Sequence, residues 1–210
     1  MTVLSGLNIG ESQWIVLREV AEKGAANAAA GLSSTLGRNI VIHASDVALR
    51  PIASVPSILG DPDDVVVGVY MAMGGDVKGH LLLLFSPAEA MGLVDMLMDM
   101  PRGTTKTLGP MERSALGEVG NLAGTFFVNA LADMTHFGIQ PSPPAVMVDM
   151  GAAVLDAPLV LLAQAAEEAL VINTLFVDNR RQIDAALLVM PDLPSLRAIV
   201  EVVERRWRSK

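Results

Sequence analysis

Hydrophobic and polar residues follow two periods along the first half of the chain, and each period predicts one type of element. Over Glu11–Leu36, apolar and small residues recur every three or four positions, which predicts a long helix. Residues 39–42 predict a strand. Two further apolar runs, 65–73 and 79–85, predict a β-hairpin because the Gly-Gly-Asp sequence at 74–76 favours a turn between them.

The second half of the chain shows the same succession of patterns after a polar linker over residues 101–110. Ser86 followed by Pro87 is typical of a helix start, and the helix that closes the first half is predicted to end at Met98. Beyond the linker the pattern predicts a helix over 111–135, an extended segment over 146–148, strands over 170–177 and 183–190, and a last helix that starts at Pro194.

This repetition predicts a single domain over residues 1–210 that contains two diverged pseudo-repeats, 11–100 and 110–206. A shift of 99 positions superimposes identical residues: Leu17 on Leu116, Glu19 on Glu118, Val20 on Val119, Leu32 on Leu131, Ile40 on Ile139 and Val47 on Val146. The expected fold class is α+β. Two pseudo-twofold-related halves would share a mainly antiparallel sheet, with two long helices packed on it.

Composition and charge exclude several classes of function. The chain has no cysteine, which excludes disulfides, thiolate metal sites and cysteine nucleophiles. Its net charge of −8 leaves no basic excess to neutralise nucleic-acid phosphates. Residues 1–10 lack the pattern of a secretory signal, and the most apolar stretch, 151–166, is shorter than the ~20 residues of a membrane span. We therefore expect a cytoplasmic protein that binds neither nucleic acid nor membrane.

Three polar residues of the predicted helix over 111–135 share one face. At 100° per residue, Ser114, Glu118 and Asn121 fall within about 60° of one another, opposite the apolar stripe. Glu118 and Asn121 are three residues apart, so their Cβ atoms should lie roughly 5–6 Å from each other. A carboxylate and a carboxamide are thus presented together, although a merely solvated helix face would show the same periodicity.

Three glycines on this helix favour a more specific interpretation. Gly117, Gly120 and Gly124 each cost about 1 kcal/mol relative to alanine inside a helix. Glycines beside a polar pair allow another backbone to approach closely. A close contact with another helix of the same chain would explain them equally well.

The residues Ser114, Glu118, Asn121 and Pro143, at these spacings, resemble the signature of the CheC family of chemotaxis phosphatases, which includes CheX and FliY types. The text Leu-Gly-Glu-Val-Gly-Asn over 116–121 adds to the resemblance. The resemblance implies hydrolysis of the aspartyl phosphate on the response regulator CheY. It implies that Asn121 orients the attacking water, that Glu118 docks on the active-site lysine of the regulator, and that Ser114 and Pro143 support the site.

The same resemblance implies that the protein needs no cofactor of its own, since Mg²⁺ is expected on the partner response regulator. The alternative is a non-catalytic adaptor that binds CheD, phosphorylated CheY, or both.

The first long helix carries an incomplete copy of the motif. Glu19 aligns with Glu118, but Ile15 replaces the serine, Glu22 replaces the asparagine and Ala44 stands where the proline is expected. A carboxylate aimed at a phosphoryl group adds negative charge to negative charge, whereas a neutral amide can both donate and accept hydrogen bonds. This half-site, with Glu19 and Glu22, is predicted to be inactive.

Overall fold

A seven-stranded antiparallel sheet organises the chain. The computed structural model describes residues 2–4, 7–9, 11–37, 39–57, 60–155, 168–178 and 181–208. The strands are β1 (Thr2–Leu4), β2 (Leu7–Ile9), β3 (Ile40–Pro51), β4 (Val65–Gly75), β5 (Gly79–Phe85), β6 (Ile139–Pro141), β7 (Ala145–Met150), β8 (Glu168–Asp178) and β9 (Arg181–Pro191). The helices are α1 (Glu11–Leu36), α2 (Pro87–Leu97), α3 (Pro110–Thr135) and α4 (Leu193–Arg208), with a 3-10 turn over Ile52–Ser57.

The two halves of the chain contribute to the sheet in the same way on either side of its centre, where β9 pairs with β5. The order is β3-β8-β9-β5-β4, and the outer edge of β4 pairs with β7 along its first part and with β6 along its last part. Each edge strand therefore pairs with a strand from the other half of the chain. The antiparallel α+β fold expected from the sequence is confirmed, while the repeat boundaries 11–100 and 110–206 stay a prediction.

The sheet is covered on both faces, which explains the continuous apolar runs of β5 and β9. All five residues from Leu81 to Phe85 are buried. The helices α1, α2, α3 and α4 pack around one face and form the main core with it. The other face carries a smaller cluster, in which Val55 of the 3-10 turn and Val154 and Leu155 from the helical residues 151–155 lie against Leu82, Leu84 and Leu188.

The two long helices approach each other closely because glycines of α1 lie against aromatic rings of α3. A Cβ atom at Gly24 would meet the ring of Phe127, and one at Gly31 would meet the ring of Phe126. Phe127 is almost fully buried. The ring positions therefore determine how near α1 can come to α3, and a larger residue at either glycine would force the helices apart.

The glycines of α3 serve contacts within the chain. A Cβ at Gly120 would meet the Val69 side chain of β4, and one at Gly124 would lie 2.7 Å from Sδ of Met71. The contact is within the chain, but its partner is the sheet and not another helix as the sequence analysis allowed. The polar face of α3 is left free to point away from the core.

The predicted elements mostly keep their boundaries, and the largest departure is β3; the short strands β1, β2 and β6 were not predicted. The pattern predicts a strand over 39–42, whereas the strand continues to Pro51. The register against β8 shifts between Ala44 and Asp46. An extra residue in one strand reverses which side chains face the core, so the alternation breaks there and conceals the second half of the strand.

The linker between the two halves is anchored by one buried carboxylate. Asp95 of α2 accepts backbone hydrogen bonds from Gly103 at 2.6 Å, Thr104 at 3.1 Å and Thr105 at 2.8 Å. Burial by itself would raise the pKa of Asp95, but the hydrogen bonds from the side chain and backbone of Thr105, and from Gly103 and Thr104, hold that pKa below its ordinary value. The first part of the linker is thus tied to α2.

Within the described residues, no helix is both long enough and apolar enough to span a bilayer. The apolar stretch over 151–166 is helical at 151–155, and its remainder from 156 lies outside the described residues.

Replacing Gly24 by alanine should lower the free energy of unfolding by about 1–3 kcal/mol, because the added methyl group overpacks the Phe127 ring. Helix propensity alone would change the stability in the opposite direction by about 1 kcal/mol. Urea unfolding measures the difference. Asn27→Ala, on the exposed side of α1, is the control and should shift stability by less than about 0.5 kcal/mol. Adding Phe127→Leu should recover part of the loss, and a stabilised Gly24→Ala variant would refute the contact.

The hydrogen-bonded Asp95 carboxylate should make the free energy of unfolding depend on pH in the acid range. A carboxyl whose pKa is lowered by folding stabilises the protein above its unfolded pKa of about 3.9, and this contribution is lost as the pH falls toward the folded pKa. Asp95→Asn should therefore lower stability at neutral pH by about 1–3 kcal/mol and flatten the decline below pH 4. Chemical unfolding at several pH values tests this, with the exposed Asp63→Asn as control. An unchanged acid limb in Asp95→Asn would exclude the anchor as its source.

Candidate functional site

The helix α3 presents the three motif residues on its outward face. Ser114 and Glu118 are exposed and Asn121 is half-buried, while Leu116 and Val119 of the same turns are buried in the core. The helical spacing expected from the sequence therefore produces one polar surface. This surface begins one turn inside the helix start, which is formed by Gly109 and Pro110.

The motif side chains have no partners within the described part of the chain. Neither Glu118 nor Asn121 makes a side-chain hydrogen bond or ion pair with the described residues, and the same holds for Ser114. A ligand or partner protein can therefore bind them without first breaking an internal interaction.

The segment that contains Pro143 lies beside the motif. Pro143 is exposed in the short connection between β6 and β7. Its neighbour Pro144 makes the contact with the helix, since Cγ of Pro144 would be 4.0 Å and Cγ2 of Val146 3.5 Å from a Cβ at Gly117. Sequence reasoning singled out Pro143 and missed Pro144. The consecutive prolines were the available signal, because two fixed φ angles stiffen the connection.

A serine holds this connection on the sheet. The backbone N–H of Ser142 donates to the Ala72 carbonyl at 2.8 Å, and the Ala72 N–H donates to Oγ of Ser142 at 2.9 Å. The same hydroxyl donates to the Pro143 carbonyl at 3.0 Å. Ser142 thereby bridges the gap between β6 and β7 on the edge of β4, and it fixes where the proline segment passes α3.

The corresponding region of the first half differs in its chemistry. Nζ of Lys23 donates to Oε1 of Glu19 at 2.7 Å in an ion pair, and Glu22 is exposed. Ile15, at the serine position, exposes 46% of its surface. The motif positions of α1 thus present two carboxylates, one of them paired with a lysine, where α3 presents one carboxylate and one amide.

A groove of about 560 Å³ opens beside the degenerate motif. It lies between α1 and β3, and its lining includes Trp14, Ile15, Arg18 and Arg50. Arg18 aligns with Gly117 when the chain is shifted by 99 positions. The long side chain in one half and the glycine in the other mark a local difference between the two surfaces.

One exposed residue near the motif escaped the sequence analysis. Met111, in the first turn of α3, exposes 64% of its surface. It stands seven residues before Glu118, which places the two within about 20° of each other around the helix. The signal is present in the sequence, because a count of 100° per residue places Met111 on the same outward face as Glu118.

Clusters of metal-ligating side chains are absent from the described residues. No group of three or more histidines or carboxylates in this part of the chain is arranged to hold a metal ion.

Comparison with known proteins supports the family resemblance. The CheC-like family model matches residues 111–148, from the first turn of α3 through β7. The CheY-P phosphatase CheC of Bacillus subtilis (strain 168) is 29% identical over 203 residues, which cover 95% of this chain and 96% of that protein. The resemblance to the CheC family that the α3 motif indicates is therefore confirmed.

Solved structures show the same fold. Thermotoga maritima FliY superimposes with a TM-score of 0.76 at 18% identity, covering 95% of this chain and 99% of that one. The FliM middle domain from H. pylori superimposes with a TM-score of 0.60 at 13% identity, covering 92% and 99%. At these identities the likeness establishes the architecture only.

Replacing Ser142 by alanine should lower the free energy of unfolding by about 1–3 kcal/mol, because the Ala72 N–H loses its acceptor. Ser142→Thr keeps a hydroxyl and should retain most of the stability. Thermal or urea unfolding provides the measurement. The control is Ser114→Ala, which removes an exposed hydroxyl and should have little effect. Equal stabilities of the two alanine variants would contradict the bridging role.

Proposed function

We propose that this chain is a protein phosphatase that hydrolyses the aspartyl phosphate of the response regulator CheY, with one active site on α3. The observation that carries the proposal is the pair of the exposed Glu118 and the half-buried Asn121, which share one helix face and have no partner among the described residues. The protein from B. subtilis to which this chain is similar over nearly the whole length of both is a CheY-P phosphatase.

Asn121 would act on the attacking water. Phosphoryl transfer to water requires positioning and charge stabilisation more than covalent chemistry. A carboxamide both accepts and donates hydrogen bonds, so Asn121 can hold a water molecule in line with the phosphorus–oxygen bond. As water attacks phosphorus, the bond to the aspartyl oxygen breaks, and the products are inorganic phosphate and the free carboxylate of the regulator.

Glu118 would set the position of the regulator on α3. Its exposed carboxylate lies one turn from Asn121 and can pair with the active-site lysine of the regulator. Ser114, one turn earlier, and Pro143, beside the helix, would border the contact. Mg²⁺ is expected on the regulator, where it would neutralise phosphoryl charge. We propose the cytoplasm as the compartment, since the similar protein is a CheY-P phosphatase.

The first half-site would not contribute to turnover. Glu22 occupies the position that needs a water-orienting amide, and the Glu19 carboxylate is paired with Lys23. A carboxylate facing a phosphoryl group is repelled by it. This difference is also what favours the second candidate, an adaptor that binds CheD or phosphorylated CheY without hydrolysing it.

Asn121→Ala should abolish the acceleration of CheY dephosphorylation, because the water loses its orienting group. The measurement follows the decay of ³²P-labelled CheY from the same genome, with the wild type, with Asn121→Ala and without added protein. Asn129→Ala is the control, because it removes an exposed asparagine two turns further along the same helix. With this variant the label on CheY should decay as fast as with the wild type.

Binding must be measured beside turnover to separate the two candidates. The phosphatase is supported if Asn121→Ala still binds phosphorylated CheY but no longer shortens its lifetime. If wild-type protein binds and leaves the decay unchanged, the adaptor is the correct assignment. If Asn121→Ala keeps full activity, the active site lies elsewhere.

A further inference from the structure

The groove between α1 and β3 runs along the outer edge of the sheet. Asp46, Val47 and Ala48 are consecutive residues of β3, and all three line the groove. Consecutive side chains of a strand point to opposite faces of the sheet, so a groove that meets all three follows an edge of the strand. The inner edge of β3 is paired with β8. The groove is therefore at the outer edge, where no strand pairs with β3 among the described residues.

A serine of α1 shows which backbone groups of β3 point outward. Oγ of Ser33 accepts from the backbone N–H of Ile40 and donates to the carbonyl of Ile40, at 2.9 Å in both cases. Both backbone groups of Ile40 are therefore turned away from β8. Pairs alternate along an antiparallel ladder, and the partners of Ile40 and Val47 on β8, residues 178 and 172, are an even number of positions apart. The N–H and C=O of Val47 thus also point to the outer edge.

Pro51 gives the same alternation independently. A proline has no N–H to donate to a ladder, so in a strand its nitrogen faces away from the neighbouring strand. Val47, Leu49 and Pro51 follow one another at every second position, and they therefore all face the outer edge. The bulge between Ala44 and Asp46 interrupts the regular edge on one side, and Pro51 ends its supply of donors on the other. The regular open edge thus spans about five residues.

Two arginines give the groove a positive lining in an acidic protein. The lining contains Arg18 of α1, Arg50 of β3 and one carboxylate, Asp46, whereas the whole chain carries a net charge of −8. Both arginines are exposed, and neither forms an ion pair in the part of the chain that the structure describes. Guanidinium groups bind carboxylates through charge-assisted hydrogen bonds. The groove is therefore complementary to a ligand that carries carboxylates.

The helix side of the groove is apolar. Trp14 is half-buried and Ile15 is exposed, and both line the groove from α1. Val47 lies in the core under α1, so alternation along β3 turns Asp46 and Arg50 to the other face of the sheet. The groove thus offers an apolar wall with Arg18 on one side, open backbone groups in the middle and Arg50 on the other side.

We propose that the outer edge of β3 over residues 46–50 binds a short, extended, acidic segment of a partner protein, which adds to the sheet as a further strand. Backbone hydrogen bonds would hold the segment, as in other cases of strand addition. Its apolar side chains would contact Trp14 and Ile15, and its carboxylates would pair with Arg18 and Arg50. The site is separate from the motif on α3, and the inference does not rest on the proposed function.

The test uses a fluorescein-labelled peptide of sequence Glu-Glu-Leu-Glu-Val-Glu-Glu, whose binding to the full chain is followed by fluorescence anisotropy. Arg18→Ala and Arg50→Ala should each weaken binding about tenfold, because each removes a charge-assisted hydrogen bond. Arg197→Ala, which removes an exposed arginine from α4, is the matched control and should bind as the wild type does. A peptide with lysine at every glutamate position should not bind. Absence of binding by the acidic peptide would overturn the proposal.

Methylation of the peptide nitrogens tests whether the segment binds as a strand. Alternate amides of a strand point to opposite sides, so only one alternate set can donate to β3. Methylation of that set should abolish binding, and methylation of the other set should leave the affinity nearly unchanged. Equal effects of the two sets would overturn strand addition. Displacement of the peptide by free glutamate at an equal concentration of carboxylate would also overturn it, since the groove would then bind small anions only.

The oligomeric state separates a partner segment from a second copy of this chain. The short regular edge, bounded by the bulge and by Pro51, favours a short segment over the long edge of another sheet. Analytical ultracentrifugation should therefore show a monomer whose mass does not change in Arg50→Ala. A wild-type dimer that Arg50→Ala dissociates would overturn the proposal, because the edge of β3 would then join two copies of this chain.

Discussion

The close seating of α3 on α1 and on β4 is the contact on which the rest of the structure depends. Glycines at the crossing points remove side chains that would hold the layers apart, so that Phe127 fits against Gly24 and Val69 against Gly120. With its inner face this tightly packed, the helix has little freedom to rotate about its axis. The outward direction of Glu118 is therefore a consequence of contacts on the opposite side of the helix.

Much of this architecture can be predicted from the sequence, because helix and strand periods are local. The boundaries of α3 and the shared face of its motif follow from counting 100° per residue. The pairing of each edge strand with the other half of the chain has no such local signal, since it depends on residues far apart in sequence, such as Val47 with Ile172 and Val65 with Met150. The bridge from Ser142 to Ala72 is equally invisible, because a hydroxyl in a proline-rich connection does not reveal its partner.

The two halves of the sheet share a frame and differ in their surfaces. In one half, a glycine at position 117 lets the proline connection lie near the helix. In the other half, Arg18 lines an open groove, and Lys23 neutralises part of the carboxylate charge at the equivalent motif. The core contacts of both long helices are kept while the outer residues diverge, as expected when packing constrains the inner face and only function constrains the outer one.

Each edge strand pairs with a strand from the other half of the chain, and this pairing also affects how the motif surfaces of α1 and α3 can diverge. A half chain alone would leave the outer edges of its strands unpaired, and two identical copies could satisfy one another by the same exchange. In such a homodimer every substitution appears twice, so an amide lost from one site is lost from both. When both halves belong to one polypeptide, a substitution changes only one of the two sites. Glu22 and Asn121 can then coexist in a single molecule, with one surface keeping its chemistry while the other is free to acquire a different role.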